Sequence, residues 1–579
     1  MRRLRDWLCV GFSALACASA TAQSTERVSV DSNGAEANGR NEVAVISADG
    51  RFVAFASYAT NLVAQDTNGC IDVFVRDRQA GTTELVSVDS NGAQGNGINT
   101  WVDAISSSGH YVVFTSDGTS LVPGDTNGCS DVFLRDLRVG TTERVSLDSN
   151  GTEGNHESRE GSVSSDGRYV AFTSDADQLV PGDTNGWSDV FVRDRLSGTT
   201  ERISVNTGGA EGNRASSLPS ISGDGRFVAF LSDATNLVSG DQNGHTDVFV
   251  RDRATGTTIR VSGPGAGTGD ALSTQISADG RFVVYCRLDN TGFNVQCYVH
   301  DAPTDSIVLV SDENGHNFLP SITTDGRYVA YESDDSWLVP GDTNGALDIF
   351  RYDLQMDRTE RVSLDSAGAQ GDAMSFAAMM SADGRSVVFV SAATNLVPGD
   401  ANGEWDIFVR TVAPEGAHPF CFGDGAATPC PCGTNHGRLF RGCQNSDFTD
   451  GAFLTADGNS SLAQDTLRIT CLREKGQALS AFFQGDAVIA ATNFGDGLRC
   501  VGGTMNRLYV RHAFGGVVSA PEGAEPSFSA RSAALNDPIS AGATRYYQVM
   551  YRDPAVWHCP DPPGSTWNVS TALSVVWNP

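Results

Sequence analysis

One unit of about 58 residues recurs seven times in this 579-residue chain. Its clearest marker is an Asp-Gly or Ser-Gly pair before an apolar run, at residues 49–50, 108–109, 166–167, 224–225, 279–280, 325–326 and 383–384. Successive markers are 59, 58, 58, 55, 46 and 58 residues apart, so only the fifth unit is much shortened. A fixed long period of this kind is typical of solenoids, propellers and other repeat arrays.

Each unit contains four short runs with the character of strands. In the first unit they are a run ending in Ile-Ser, then RFVAF, DVFVRD and TTELVSV. The second run is almost continuously apolar, as expected of a strand covered on both faces. Asp-Gly and Asn-Gly pairs supply the positive-φ residues that tight hairpins need, and helical periodicity is lacking. Four antiparallel strands repeated seven times predict an all-β, seven-bladed β-propeller.

The two ends of the array indicate how the ring closes. The sequence TERVSV at residues 25–30 is a fourth strand with no strands before it. The last unit ends at DIFVRTV, residues 406–412, and lacks its own fourth strand. We therefore predict that the N-terminal strand completes the last blade, so that the propeller spans residues 24–412. An open solenoid would cap its ends instead.

The runs ISADGRFVAF, VSSDGRYVAF and ISGDGRFVAF resemble the repeat of TolB-like propellers, which belong to the broad WD-like class. The resemblance covers residues 25–412. Many members of that family have six blades, whereas this chain has seven units. The family implies a propeller fold and binding of partners, and it implies no single reaction, although some TolB-like propellers are polysaccharide lyases.

The loop between the second and third runs carries the motif Asp-x-Asn-Gly-x-x-Asp six times. Asp, Asn and Asp at positions one, three and seven of a turning loop could supply part of an oxygen cage for Ca²⁺. Calcium is thus a candidate cofactor, and the candidate ligands are Asp66, Asn68, Asp72, Asp125, Asn127, Asp131, Asp183, Asn185, Asp189, Asp241, Asn243, Asp247, Asp342, Asn344, Asp348, Asp400, Asn402 and Asp406.

The alternative interpretation of this motif is turn chemistry. Asp and Asn cap turns through neighbouring backbone groups, and Asn-Gly favours positive φ. The fourth run also ends in Asp-Ser-Asn-Gly, at Asp31, Asp89 and Asp148, with no third acidic residue following. In either case, propeller connectivity places these loops and the loops between blades on one face, which is the candidate binding surface.

The fifth unit lacks the acidic loop and carries two cysteines in its place. Cys286 ends the second run and Cys297 lies in the third, so the hairpin brings them close enough for a disulfide. Two buried thiols are the alternative. Cys70 and Cys129 occupy matching places in adjacent units and are weaker candidates for a bond.

A different domain follows the repeats. Residues 413–419 form a linker, and residues 420–579 contain alternating β runs separated by Gly, Pro and Asn turns, which predicts a β-sandwich. The segment resembles a cysteine-rich C-terminal module of exported bacterial proteins. Disulfides are favoured over zinc, because exported cysteines usually oxidise. We predict one bond between Cys500 and Cys559, which leaves Cys471 unpaired. Two further bonds are predicted within the first four cysteines, Cys421, Cys430, Cys432 and Cys443.

The N-terminus predicts export. Residues 1–22 combine three arginines, a short apolar run and a small-x-small site, which is the pattern of a cleaved signal peptide. No later segment is apolar enough to span a bilayer. The net charge of −30 argues against nucleic acid as a partner. We expect a monomeric protein that is secreted or held in the cell envelope.

No catalytic residues emerge from the sequence. It has no GxSxG, HExxH or P-loop motif, and its nine histidines occupy no recurring place. A binding or scaffold protein that uses the loop face for a protein or glycan partner is therefore the preferred function. A polysaccharide-active lyase or hydrolase and a calcium-loaded structural surface protein are the alternatives.

Overall fold

The computed structural model describes residues 23–263, 269–312, 315–412, 417–420, 430, 443, 451–457, 460–463, 465–494, 497–553 and 567–577. As far as residue 412, the strands form seven antiparallel sheets of four, named blades 1 to 7 in chain order. This confirms the predicted all-β propeller class.

The four strands of each blade follow one another along the chain, except in blade 7. They are Asn41–Ile46, Phe52–Ser57, Asp72–Asp77 and Thr82–Leu85 in blade 1; Thr100–Ile105, Tyr111–Ser116, Asp131–Asp136 and Thr141–Arg144 in blade 2; Ser158–Val163, Tyr169–Ser174, Asp189–Asp194 and Thr199–Arg202 in blade 3; and Ser216–Ile221, Phe227–Ser232, Asp247–Asp252 and Thr257–Arg260 in blade 4.

The remaining blades have the same plan. Their strands are Ala271–Ile276, Phe282–Leu288, Val295–Asp301 and Ser306–Leu309 in blade 5; Asn317–Ile322, Tyr328–Ser333, Asp348–Asp353 and Arg358–Arg361 in blade 6; and Ser375–Met380, Ser386–Ser391, Asp406–Thr411 and the N-terminal strand Ser24–Arg27 in blade 7.

The second strand of each blade is buried on both faces, as its apolar sequence predicts. In blade 1, Val53, Ala54, Phe55 and Ala56 have no exposed surface. The Phe55 ring also stacks on Phe74 of the third strand, with ring centroids 5.8 Å apart. Continuous burial of this kind removes apolar surface from water on both sides of the strand, which stabilises the packing of each blade against its neighbours.

The Asp-Gly turn joins adjacent blades as well as adjacent strands. Gly167 has a φ of +76°, and a Cβ atom there would lie 2.2 Å from the Tyr111 ring of blade 2. The Asp166 carboxylate accepts hydrogen bonds from the Arg168 backbone N–H at 2.9 Å and from the Ser164 hydroxyl at 2.7 Å. Only glycine combines the left-handed backbone with this close approach.

The first strands of neighbouring blades contact each other around the whole set, blades 7 and 1 included. The N-terminal strand Ser24–Arg27 pairs antiparallel with Asp406–Thr411, so blade 7 takes its fourth strand from the start of the chain. Val28, Phe55 and Ile407 belong to one hydrophobic core cluster. Residues from the two ends of the array therefore share the interior between blades 7 and 1.

The residues after 412 form three further sheets and one helix. The first sheet orders its strands as Ala417–Phe420, Trp567–Val576, Thr544–Arg552, Leu479–Gly485 and Asn506–His512; the second as Phe453–Asp457, Arg468–Leu472 and Val518–Ala520; the third pairs Ala487–Phe494 with Gly497–Gly502; and the helix is Phe528–Ala534.

One hydrophobic core joins the five-stranded and three-stranded sheets. It contains Leu454 and Ile469 from the smaller sheet and Phe482 and Tyr547 from the larger one, together with the helix residue Phe528. Packing of two sheets face to face is the arrangement of a β-sandwich. The domain boundaries proposed above stay a prediction, and the strand at 417–420 begins within residues assigned to the linker.

Candidate cation-binding loops

The acidic loops and the loops between blades lie on one face of the propeller. Asn61, beyond the second strand of blade 1, donates its side-chain amide to the Glu36 carbonyl at 2.8 Å. Asn236 donates in the same way to the Glu211 carbonyl, also at 2.8 Å. We call this surface, formed by both sets of loops, the loop face.

The Asn of each acidic motif serves as a turn cap. In blade 2, the Asn127 Oδ1 atom accepts from the Cys129 backbone N–H at 2.9 Å, and its Nδ2 donates to Asp131 at 3.2 Å. The cap recurs in every copy, at Asn68, Asn127, Asn185, Asn243, Asn344 and Asn402. The turn interpretation therefore accounts for the hydrogen bonds of these amides, and metal ligation by them stays a prediction.

The last Asp of each motif begins the third strand and links it to a serine that follows the fourth strand. Asp131 is buried, and its Oδ1 atom accepts a hydrogen bond from the Ser146 hydroxyl at 2.6 Å. The Ser146 oxygen in turn accepts from the Val132 backbone N–H at 3.2 Å. The same pair forms in all six copies, between Ser29 and Asp406, Ser87 and Asp72, Ser146 and Asp131, Ser204 and Asp189, Ser262 and Asp247, and Ser363 and Asp348.

An arginine guanidinium lies among the carboxylates of five of these loops. In blade 2, the Nη1 atom of Arg144 is 3.4 Å from Asp125, 3.0 Å from Asp131 and 2.7 Å from Glu153. The equivalent arginines end the fourth strand of their blades, and they are Arg27, Arg144, Arg202, Arg260 and Arg361. In these five loops the chain itself supplies the positive charge that a bound Ca²⁺ would otherwise provide.

Burial dominates the electrostatics of these clusters. It raises the pKa of Asp125 to about 6, and the nearby Asp131 carboxylate adds to the rise while Arg144 opposes it. The pKa of Asp183 in blade 3 is raised to about 6 for the same first cause. Ionised carboxylates in such surroundings need a compensating cation, which the guanidinium provides.

Two blades depart from this pattern. Blade 1 keeps both acidic residues, Asp66 and Asp72, but its fourth strand ends in Leu85 instead of arginine. The Gln94 side chain donates to both carboxylates, at 2.9 and 2.8 Å. Blade 5 has no acidic loop. A disulfide joins its second and third strands within the shortened hairpin.

In all six acidic loops the first and last Asp lie together and share one arginine or glutamine partner. Sequence reasoning missed the arginines, and also Glu153, Glu211 and Gln94 from the loops between blades. A usable signal was present, because the arginine of TTER recurs at one fixed place in the repeat and has the opposite sign to the acidic loop.

The predicted disulfides are confirmed where the structure describes both cysteines. Cys286 bonds to Cys297, and Cys430 bonds to Cys443. Cys500 is also disulfide-bonded. Cys421, Cys432 and Cys559 lie outside the described residues. Cys70, Cys129 and Cys471 are free thiols.

A second buried acidic group lies in the C-terminal sandwich. Glu474 is buried and accepts a hydrogen bond from the Ser480 hydroxyl. Burial raises the pKa of Glu474 to about 7, against the lowering effect of hydrogen bonds from Ser480 and the free thiol of Cys471. The carboxyl group therefore keeps its proton in the folded protein under mildly acidic conditions.

We expect the sandwich to lose stability as the pH rises from about 4.5 to 7. The unfolded state releases the Glu474 proton near its ordinary pKa, whereas the folded state holds it to about 7. The loss is complete above the folded pKa, and a rise of this size corresponds to roughly 3 kcal/mol. Hydrogen exchange of peptides covering residues 467–485 measures the effect. Glu474→Gln is the control, and equal pH dependence in both proteins would contradict the assignment.

The seven four-stranded sheets decide the fold of residues 24–412. This part of the chain is a β-propeller. No protein-family model matches the sequence, and no curated protein matches it either. Among the residues that the structure describes, no helix is long and apolar enough to cross a membrane.

Several solved structures are similar to this chain in outline. An oligogalacturonate lyase from Vibrio parahaemolyticus is 12% identical, with 68% of this chain and 98% of that chain covered and a TM-score of 0.43. The β-propeller domain of the trilobed protease from Pyrococcus furiosus is 12% identical, with 65% and 96% covered and a TM-score of 0.42. TolB from Acinetobacter baumannii is 13% identical, with 65% and 80% covered and a TM-score of 0.31.

Proposed function

We propose that this chain is an exported binding or scaffold protein that takes up a protein or glycan partner on its loop face. The observation that carries the proposal is the exposure of large aromatic side chains on that face. Trp337 is 89% exposed, Phe293 77% and Trp187 55%. Each lies in the connection between the second and third strands of its blade, in blades 6, 5 and 3.

Exposed aromatic side chains in a polar, turn-rich surface favour recognition. Trp and Phe provide large, rigid contact area, and they are enriched where proteins bind partners. Trp337 stands where blades 1 and 4 have Asn61 and Asn236, which hydrogen-bond to the neighbouring loop. An aromatic residue at this place gives up that hydrogen bond and gains only exposed apolar surface in the isolated chain.

The acidic loops support a binding role over catalysis. In five of the six loops the carboxylates are held by arginine, and the remaining pair is held by an amide. In five loops the guanidinium that fixes the carboxylates also compensates their charge, so these acidic residues serve to hold the loop face together. The disulfides support export, since such bonds persist in oxidising compartments.

A binding screen with matched surface variants tests the proposal. We expect the mature protein to retain a partner on protein and glycan arrays, and Trp187→Ala/Phe293→Ala/Trp337→Ala to lose at least tenfold in affinity. The control is Val139→Ala/Leu196→Ala, which removes two exposed apolar side chains from turns between third and fourth strands, at the opposite face. Equal loss in both variants, or none in the first, would contradict a role for the loop face.

A further inference from the structure

The acidic loop of blade 1 lacks the cation that its counterparts contain. Asp66 and Asp72 are 7% and 2% exposed. Leu85 occupies the position from which Arg144 and Arg202 reach the matching carboxylates of blades 2 and 3. Within the part of the chain that the structure describes, neither Asp66 nor Asp72 forms an ion pair. Two buried carboxylates therefore stand together with only neutral partners.

Neutral donors satisfy some of these oxygen atoms but not all. Gln94 donates its Nε2 to Asp66 Oδ1 at 2.9 Å and to Asp72 Oδ2 at 2.8 Å. The Ser87 hydroxyl donates to Asp72 Oδ1 at 2.5 Å. Asp66 Oδ2 is buried and has no hydrogen-bond partner. A buried carboxylate oxygen without a partner is costly, so Asp66 Oδ2 is available to a ligand that compensates its charge.

We propose that the first acidic loop binds one divalent cation, and that Ca²⁺ is the ion it suits best. Asp66 and Asp72 supply carboxylate oxygens, which are preferred calcium ligands. The ion displaces the Gln94 amide, whose Nε2 lies between the two carboxylates and whose Oε1 already accepts from the Thr67 backbone N–H at 2.9 Å. Water completes the coordination of the ion. The ion takes the role that a guanidinium has in blades 2, 3, 4, 6 and 7.

Comparison of blade 1 with the arginine-containing blades limits the number of calcium sites in the propeller to one. A cation entering blade 2 or blade 3 would have to displace Arg144 or Arg202 from carboxylates that it contacts at 2.7 to 3.4 Å. The carboxylate oxygens of Asp125, Asp131 and Glu153 do lie within 4.8 Å of one another. Their shared guanidinium nevertheless fills the position between them. This site is independent of the function proposed for the aromatic surface.

Calcium content of the full mature protein tests the site. Equilibrium dialysis against Ca²⁺, followed by metal analysis, is expected to give one ion per chain. Leu85→Arg introduces the guanidinium of the other blades and is expected to weaken binding at least tenfold. Asp183→Asn changes the equivalent loop of blade 3, where Arg202 is present, and is the matched control with one ion retained.

Asp66→Asn provides a second variant should Leu85→Arg fail to fold, as judged by circular dichroism. It is expected to bind Ca²⁺ at least tenfold more weakly than the unchanged protein. No bound Ca²⁺ in the unchanged protein would overturn the proposal. Retention of the ion by a folded Leu85→Arg or Asp66→Asn variant, or its loss in Asp183→Asn, would overturn it as well.

Discussion

Arg202→Met is expected to destabilise the propeller by about 3–5 kcal/mol in the absence of divalent cations. The guanidinium lies 3.3 Å from Asp183, 3.2 Å from Asp189 and 2.7 Å from Glu211. Asp189 is completely buried, and Asp183 is nearly so. Removing the arginine leaves three carboxylates in one small volume with no cation between them, and repulsion adds to the cost of their burial.

Chemical denaturation measures this loss, and calcium gives a second readout. The Arg202→Met cluster imitates blade 1, so millimolar Ca²⁺ should restore part of the stability by binding the native state. The control is Arg385→Met, which removes an exposed pair with Asp383 and should cost less than about 1 kcal/mol. Equal midpoints for Arg202→Met and Arg385→Met would show that the buried arginine is not needed for charge compensation.

Removal of residues 23–29 is expected to abolish cooperative folding of the propeller. The segment supplies the fourth strand of blade 7, paired with Asp406–Thr411. It also supplies the buried Val28, and Arg27, whose guanidinium lies 3.0 Å from Asp406. Without it, blade 7 keeps three strands, an open edge and an uncompensated acidic loop, each of which promotes unfolding or aggregation.

Solubility and thermal unfolding of the shortened protein measure this effect. A synthetic peptide of residues 23–30, added during refolding, should restore a cooperative transition by pairing with the open edge. The control is Glu26→Ala, which removes only a half-exposed partner of Arg78 and should leave the midpoint almost unchanged. A shortened protein that unfolds at the same midpoint as the full chain would contradict the structural role of the segment.

The sequence predicted the blades because each strand carries a local signal. RFVAF is continuously apolar, and the Asp-Gly pair marks the turn before it, so the second strand could be placed within a residue or two. The fourth strand proved shorter than TTELVSV suggests. It ends at Leu85 in blade 1, and only an isolated bridge between Val88 and Gln94 follows. Asp89 caps the turn that follows Val88, where its side chain accepts from the Ala93 backbone N–H at 2.8 Å.

The contact between the arginine and the acidic loop could not be predicted from the sequence in the same way. Arg144 and Asp125 belong to different parts of the repeat, and their contact depends on how the fourth strand lies beside the third. Arg27 and Asp406 are separated by 379 residues and meet only because the N-terminal strand pairs in blade 7. A motif of oxygen-bearing residues therefore suggested six cation sites, while packing supplies a guanidinium to five of them.

A lanthanide-soaked crystal gives the most direct test of this charge arrangement. Tb³⁺ replaces Ca²⁺ at oxygen sites and is located by its anomalous scattering. The expected result is one strong peak between Asp66 and Asp72, with guanidinium density between the carboxylates of blades 2, 3, 4, 6 and 7. Peaks between Asp125, Asp131 and Glu153, with Arg144 turned away from them, would instead show that the acidic loops are metal sites throughout the propeller.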